Sequence, residues 1–388
     1  MKSLKIILLY FLYLTAALSQ ENKITVFKSG SEGYNTFRIP AIISLPNGDL
    51  LAFCEGRLKG SADFGDINIV MKRSTDNGIT WGPIQKVVDY DSLQAGNSAP
   101  VVDLTDPDYP NGRIFLFYNT GNNHEYEVRK GNGLREAWYI TSTDNGVTWS
   151  DPVNITTMVH RPKQPKIKPE YNFEKDWRTV ANTPGHAMQF YSGKFKGRIY
   201  VAANHSQGEL KEKFKDYFAH GYYSDDHCKT FRLSENVPIP GSNESTATQL
   251  SDGSLMLNSR NQSGDIKCRI VSISRDGGAS WDTSYFDYNL PDPVCQSSIL
   301  SYELKNGKKV VAFCNPADTE IRNKLTLRIS YDDGKTWFKN ILIDEGSDNS
   351  KNDFTAYSDI VRISDSQIGV LYEKENYSSI VFTIVKFD

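Results

Sequence analysis

The sequence predicts an all-β fold, a six-bladed β-propeller. Three observations carry that expectation: an eight-residue turn that recurs along the chain, β-rich runs that flank each copy, and few stretches with the spacing of a long amphipathic helix.

The turn reads STDNGITW from Ser74 and STDNGVTW from Ser142. SRDGGASW begins at Ser274 and SYDDGKTW at Ser330. A weakened copy, SDDHCKTF, begins at Ser224, with Cys228 in the glycine position and Phe231 in place of tryptophan. Successive copies start 68, 82, 50 and 56 residues apart, a spacing that fits one multi-strand unit per copy. Each copy reads as a hairpin turn. Its Asp accepts backbone N–H groups, its Gly supplies a left-handed backbone, and its Trp packs between neighbouring units. INIVMKRS, AWYITS, CRIVSIS and KLTLRIS precede the four good copies and are rich in β-formers. At about sixty residues per unit the chain holds roughly six blades. Asp76, Asp144, Asp276 and Asp332 are therefore scaffold, because a reactive site needs different groups converging and not one turn repeated around a ring. KEKFKDYF after Glu209 is either a short helix or an exposed loop.

The 388 residues are 39% hydrophobic and 23% charged, enough apolar content for a large core. A net charge of −3 lacks the basic footprint of a nucleic-acid binder. At the start, Lys2 and Lys5 precede an apolar run over residues 6–18, and Ala17, Leu18 and Ser19 offer a small-residue cleavage site. The run is short for a membrane span, so residues 1–19 read as a secretory signal peptide and residues 20–388 as a single domain, secreted or periplasmic and monomeric. Five cysteines form no CxxC, so a disulfide is permitted but not demanded. The six histidines form no HExxH, and no metal or cofactor is expected. Sequons occur at Asn154, Asn204, Asn243, Asn261 and Asn376.

Charged residues inside strand-like sequence need a separate reason, since an ion pair in a core seldom stabilises by itself. Arg38 sits in YNTFRIP, ahead of the apolar run AIISL. FRIP followed by such octets resembles the exo-sialidases, or neuraminidases, both bacterial and lysosomal-type animal enzymes; the latter would place the chain in lysosomes in an animal-like host. The resemblance runs from about Tyr34 to Glu373. It implies an acid/base aspartate in the loop before the first octet, which Asp63 matches, with Asp66 as a rival. It implies a glutamate assisting the nucleophile (Glu244 in GSNESTATQ) and a tyrosine nucleophile (Tyr357 in TAYSDI). Arg38, Arg260 in LNSRNQ and Arg322 in TEIRNK match an arginine triad; Arg57 matches a further pocket arginine, and Glu373 in LYEK the carboxylate holding the first arginine. Arg328 continues a strand alternation and reads as structural. Asn97 and the run from Ala181 resemble segments near the pocket floor.

The chemistry suits these residue types. Three guanidiniums can fork onto the carboxylate of sialic acid. A neutral phenol approaches a centre bearing that negative charge without the repulsion a carboxylate nucleophile would meet. Tyrosine then needs a base, for which Glu244 is placed, and the arginines should favour the phenolate. The expectation is removal of terminal sialic acid from glycoproteins, glycolipids or oligosaccharides with retention. A trans-sialidase and a non-catalytic glycan-binding propeller are the alternatives. Residues 160–177, rich in Pro and Lys, read as a long loop that either rims the pocket or is solvated.

Overall fold

The computed structural model describes residues 23–346 and 353–387; the expected signal peptide lies outside the described residues. The fold is an all-β propeller in which antiparallel sheets succeed one another around a common centre. Six blades were expected, and that count is corrected: among the described residues the strands form five sheets, four of them with four or five strands and one with eight. The large sheet contains two antiparallel runs, residues 36–88 and 94–154, joined by one parallel bridge between Ile67 and Gln94.

Each octet links the third strand of an antiparallel run to its fourth, and each of those third strands ends on the octet's serine. In all five copies the serine Oγ accepts a 2.8 Å bond from the backbone N–H of the glycine position. The same hydroxyl donates to the octet aspartate at 2.7 or 2.8 Å. Cys228 holds the turn at φ +63° where the other copies use glycine, a conformation that costs an L-residue about 1–2 kcal/mol. The tryptophans then reach across gaps: Trp81 meets Phe382 edge-on at 5.5 Å, and Trp149 meets Phe53 at 6.1 Å.

The N-terminal strand Ile24–Lys28 pairs with the C-terminal strand Ser379–Lys386, so the last sheet is completed by the first segment of the chain. The opposite edge of that sheet is Thr355–Ser364, which packs beside Thr36–Ser44 and Ser298–Glu303. Thr36–Ser44, Gln94–Asp103, Ser242–Gln249 and Thr355–Ser364 are all first strands of their runs, and each slips register near its start, at 38/41, 96/99, 242/245 and 355/358. Such slips re-aim side chains at the rim of a sheet. Ile39 and Asn97 fall in two of them with φ +61° and +56°. All five cysteines are buried and free. Asn204, Asn243 and Asn261 are buried too, so three of the five sequons are closed to modification in the folded chain.

Candidate active site

The register slips put functional side chains where the first strands converge. Arg38, Glu244 and Tyr357 are each the third residue of a first strand, and all three line one cavity of about 440 Å³. Arg260 enters it from the end of Leu255–Asn261, Arg57 from the end of Leu50–Arg57, and Asp63 and Arg322 from loops. Arg328 does not line it; its buried guanidinium bonds Asn315. Asp66 does not line it either, which separates it from Asp63. Nor do the octet aspartates.

Tyr357 is the hub. Its hydroxyl donates to Glu244 Oε1 at 2.6 Å and accepts from Arg260 Nη1 at 2.9 Å, and the same nitrogen reaches Glu244 Oε2 at 2.7 Å. The guanidiniums of Arg38 and Arg322 lie over its ring at 5.3 and 5.5 Å. The three arginines therefore surround one phenol. Buried Glu373 ties the arrangement from behind. It accepts from Arg38 Nε and Nη2 at 3.0 and 3.2 Å, and from the backbone N–H groups of Ile39 and Tyr357 at 2.8 and 3.1 Å. One carboxylate thus fixes the Arg38 fork and joins two first strands, and it offsets the strain of a β-branched residue at positive φ.

Arginines do favour the Tyr357 phenolate, as expected, but they do not set the net direction. Burial and then Glu244 push the Tyr357 phenol well above its ordinary range, while Arg260 and Arg322 pull it down by less. The tyrosine rests as a neutral donor to Glu244, because removing water from a phenolate costs more than two guanidiniums return. Burial opposes the charge on Arg38, but Glu373 and the phenols of Tyr377 and Tyr357 hold its proton more firmly than usual. Asp63 has a largely exposed carboxyl. Burial of its surroundings would raise it, but Arg57 at 2.8 Å and Arg38 at 3.4 Å outweigh that and hold it below the usual carboxylate range.

Several lining residues were not read from the sequence. Tyr377 stacks under Arg38 at 4.0 Å and accepts from Arg322 Nη1 at 3.2 Å. The five-residue helix Glu125–Arg129 contributes Glu125, Tyr126 and Arg129, and KEKFKDYF, with a 3-10 turn at Glu212–Phe214, contributes Phe214 and Tyr217. Glu55 and Arg135 complete the wall beside Arg57. Asn97 and Ala181 do line the cavity. The loop over residues 160–176 does not, although its His160 and Tyr171 are buried.

Residues 48–370 match the family model of the BNR repeat-like domain. Over 367 residues the chain is 34% identical to a sialidase of Micromonospora viridifaciens, a match covering 89% of this chain and 51% of that protein, so the chain spans about half the length of that relative. It is 31% identical to an exo-alpha-sialidase of Arthroderma benhamiae over 392 residues, 95% of this chain and 84% of that one. Among solved structures, Hadza microbial sialidase shares the fold with a TM-score of 0.76 at 24% identity, over 94% of this chain and 68% of that one. With a family model spanning most of its length and a full-length relative above 30% identity, the chain belongs to the sialidase family of glycoside hydrolases.

Proposed function

We propose that this protein is an exo-α-sialidase that releases terminal sialic acid from sialylated glycoconjugates by a retaining double displacement. The observation that carries the reading is the Tyr357–Glu244 bond of 2.6 Å in a cavity where three arginines surround the same phenol. Arg38, Arg260 and Arg322 take the substrate carboxylate, whose charge and planarity match forked donors. In the first step Glu244 removes the phenolic proton as Tyr357 oxygen bonds the anomeric carbon. The glycosidic oxygen leaves with the pair from the broken C–O bond and takes a proton from Asp63. In the second step Asp63 takes a proton from water, water oxygen bonds the anomeric carbon, and Tyr357 departs and recovers its proton from Glu244.

Asp63 must be neutral for the first step, yet Arg57 and Arg38 favour its ionised form in the free protein. An arriving carboxylate engages Arg38, weakens that hold and lets Asp63 take up a proton. Residues 20–388 act as one catalytic domain, exported with loss of residues 1–19. The six-blade count rests on dividing the eight-stranded sheet at its single parallel bridge, so that each half supplies one four-stranded blade.

Incubation with an aryl sialoside and with sialyllactose tests the reading. Free sialic acid should appear, and Tyr357→Phe should lose at least about 10²-fold in kcat while keeping its melting midpoint. A transferred or anhydro sugar as the product would replace hydrolysis by trans-sialylation, and near-normal turnover by Tyr357→Phe would remove the tyrosine from its role.

A further inference from the structure

Arg135 is the odd cation of the cavity. It is 5% exposed and lines the wall, yet its Nε is buried without a partner and its guanidinium makes no hydrogen bond or ion pair among the described residues. The other cavity arginines are all committed. Arg38 is held by Glu373, Arg57 by Glu55, Arg129 by Asp216, Arg260 by Glu244, and Arg322 by Asp353. Asp63 feels the Arg135 charge, but its carboxylate pairs with Arg57 and Arg38 and makes no direct bond to Arg135. Glu55 is occupied by Arg57 and by the N–H of Asn97, and Glu136 accepts from Lys168 and Tyr171. A buried guanidinium whose donors find no acceptor in direct contact is costly, so the site is built for something that arrives from outside.

Its setting has a definite shape. Arg57 pairs with Ile67, Ile67 with Gln94, Gln94 with Gly121 and Gly121 with Arg135, one row of cross-strand neighbours over the seam of the eight-stranded sheet. Gly121 keeps the row open: a Cβ there would lie 3.2 Å from Arg135 Nε and 3.3 Å from Gln94 Oε1. Gln94 Oε1 is itself buried and unpartnered. A notch thus presents one charged fork and one free acceptor over a floor without a side chain.

The row starts at Arg57, which grips Asp63. On the reading proposed above, Asp63 protonates the leaving oxygen, whereas the sugar's own carboxylate goes to the arginines around Tyr357. A group reaching Arg135 therefore lies beyond the glycosidic oxygen. We infer that Arg135, with Gln94 over Gly121, is a subsite for a second anionic oxygen group, carboxylate or sulfate, carried on the leaving portion of the substrate. This rests on the sialidase reading and adds a preference for charged leaving sugars.

The test compares kcat/KM on sialyllactose, on an α2,8-linked disialyl oligosaccharide and on a sialyl oligosaccharide sulfated on the leaving sugar. Wild type should prefer a charged leaving sugar. Arg135→Gln should lower the charged-to-neutral ratio at least tenfold, through KM, and Arg135→Lys should restore part of it. Gly121→Ala, which crowds the fork without touching its charge, should lower the ratio in the same direction and carries the test if Arg135→Gln does not fold. A fall confined to the disialyl arm identifies a second sialic acid, and one confined to the sulfated arm identifies a sulfo-sugar. An unmoved ratio, or equal loss on neutral and charged substrates, overturns the subsite. A wild type that releases no sialic acid from any substrate overturns the hydrolase reading and this inference with it, whereas active wild type with an unmoved ratio overturns the inference alone.

Discussion

Asp63 shows how a single residue can be wrong for its task at rest and right once the site is filled. Its carboxyl meets two guanidiniums, and those keep it ionised against the opposing effect of burial. A proton donor needs the opposite state. The substrate's carboxylate supplies the correction by engaging Arg38, so Asp63 should titrate higher in the complex than in the free protein. Since kcat/KM reports free-protein ionisations and kcat those of the complex, the limb set by Asp63 should fall away at lower pH in kcat/KM than in kcat. The sign follows from the direction of the shift: a carboxyl held low loses its proton earlier as pH rises. Asp63→Asn should abolish that limb and cost roughly 10²–10⁴-fold on sialyllactose, but far less on an aryl sialoside whose leaving group needs no proton. Limbs that coincide, or an equal loss on both substrates, would return Asp63 to an ion-pairing role.

At the scale of an element, two devices recur and divide the labour. The slipped register near the start of first strands aims Arg38, Glu244 and Tyr357 into the cavity. The octets hold the outer turns. Their aspartates are saturated by local hydrogen bonds, which is why Asp76 and Asp144 are held down at about 2. Trp149 carries the packing side of that job: it is partly buried against Phe53 and the Leu51 cluster. Trp149→Ala should destabilise by about 2–3 kcal/mol, below the ~3–5 of a fully buried aromatic, with kcat/KM unchanged at 25 °C. Urea unfolding decides this, and an unmoved midpoint would deny the octets their packing role. These devices differ in how well they can be read. An octet is a short-range pattern, visible in eight letters. A register slip depends on which residue the partner strand offers, so the common third position of Arg38, Glu244 and Tyr357 was invisible before pairing was known. Arg135 opens an ordinary β-rich run, and Tyr377 lies within a turn, so neither carries a local signal. The helix Glu125–Arg129 is too short to show a helical period. Six blades were expected, and nothing in the sequence marks the one bridge between Ile67 and Gln94 that joins two antiparallel runs into one sheet.

For the whole molecule, what matters is that the first and last described strands meet in one sheet. Ile24–Lys28 completes the sheet whose opposite edge bears Tyr357, so the site's hub depends on a segment more than three hundred residues away in sequence. Phe27 is the apolar anchor of that closure, fully buried and 5.3 Å from Phe37 on the strand that bears Arg38. Phe27→Ala leaves every cavity residue in place but opens a void between the first and last segments. It should cost about 3–5 kcal/mol, while kcat/KM below the transition stays that of wild type. Because the sheets are joined end to end, loss of the anchor should release them together, and the melting curves followed by tryptophan fluorescence and by residual activity should shift down by the same interval and remain superimposed. A fluorescence transition separated from the loss of activity would mean that the sheets unfold piecemeal and that closure by the N-terminal strand does not set the stability of the ring.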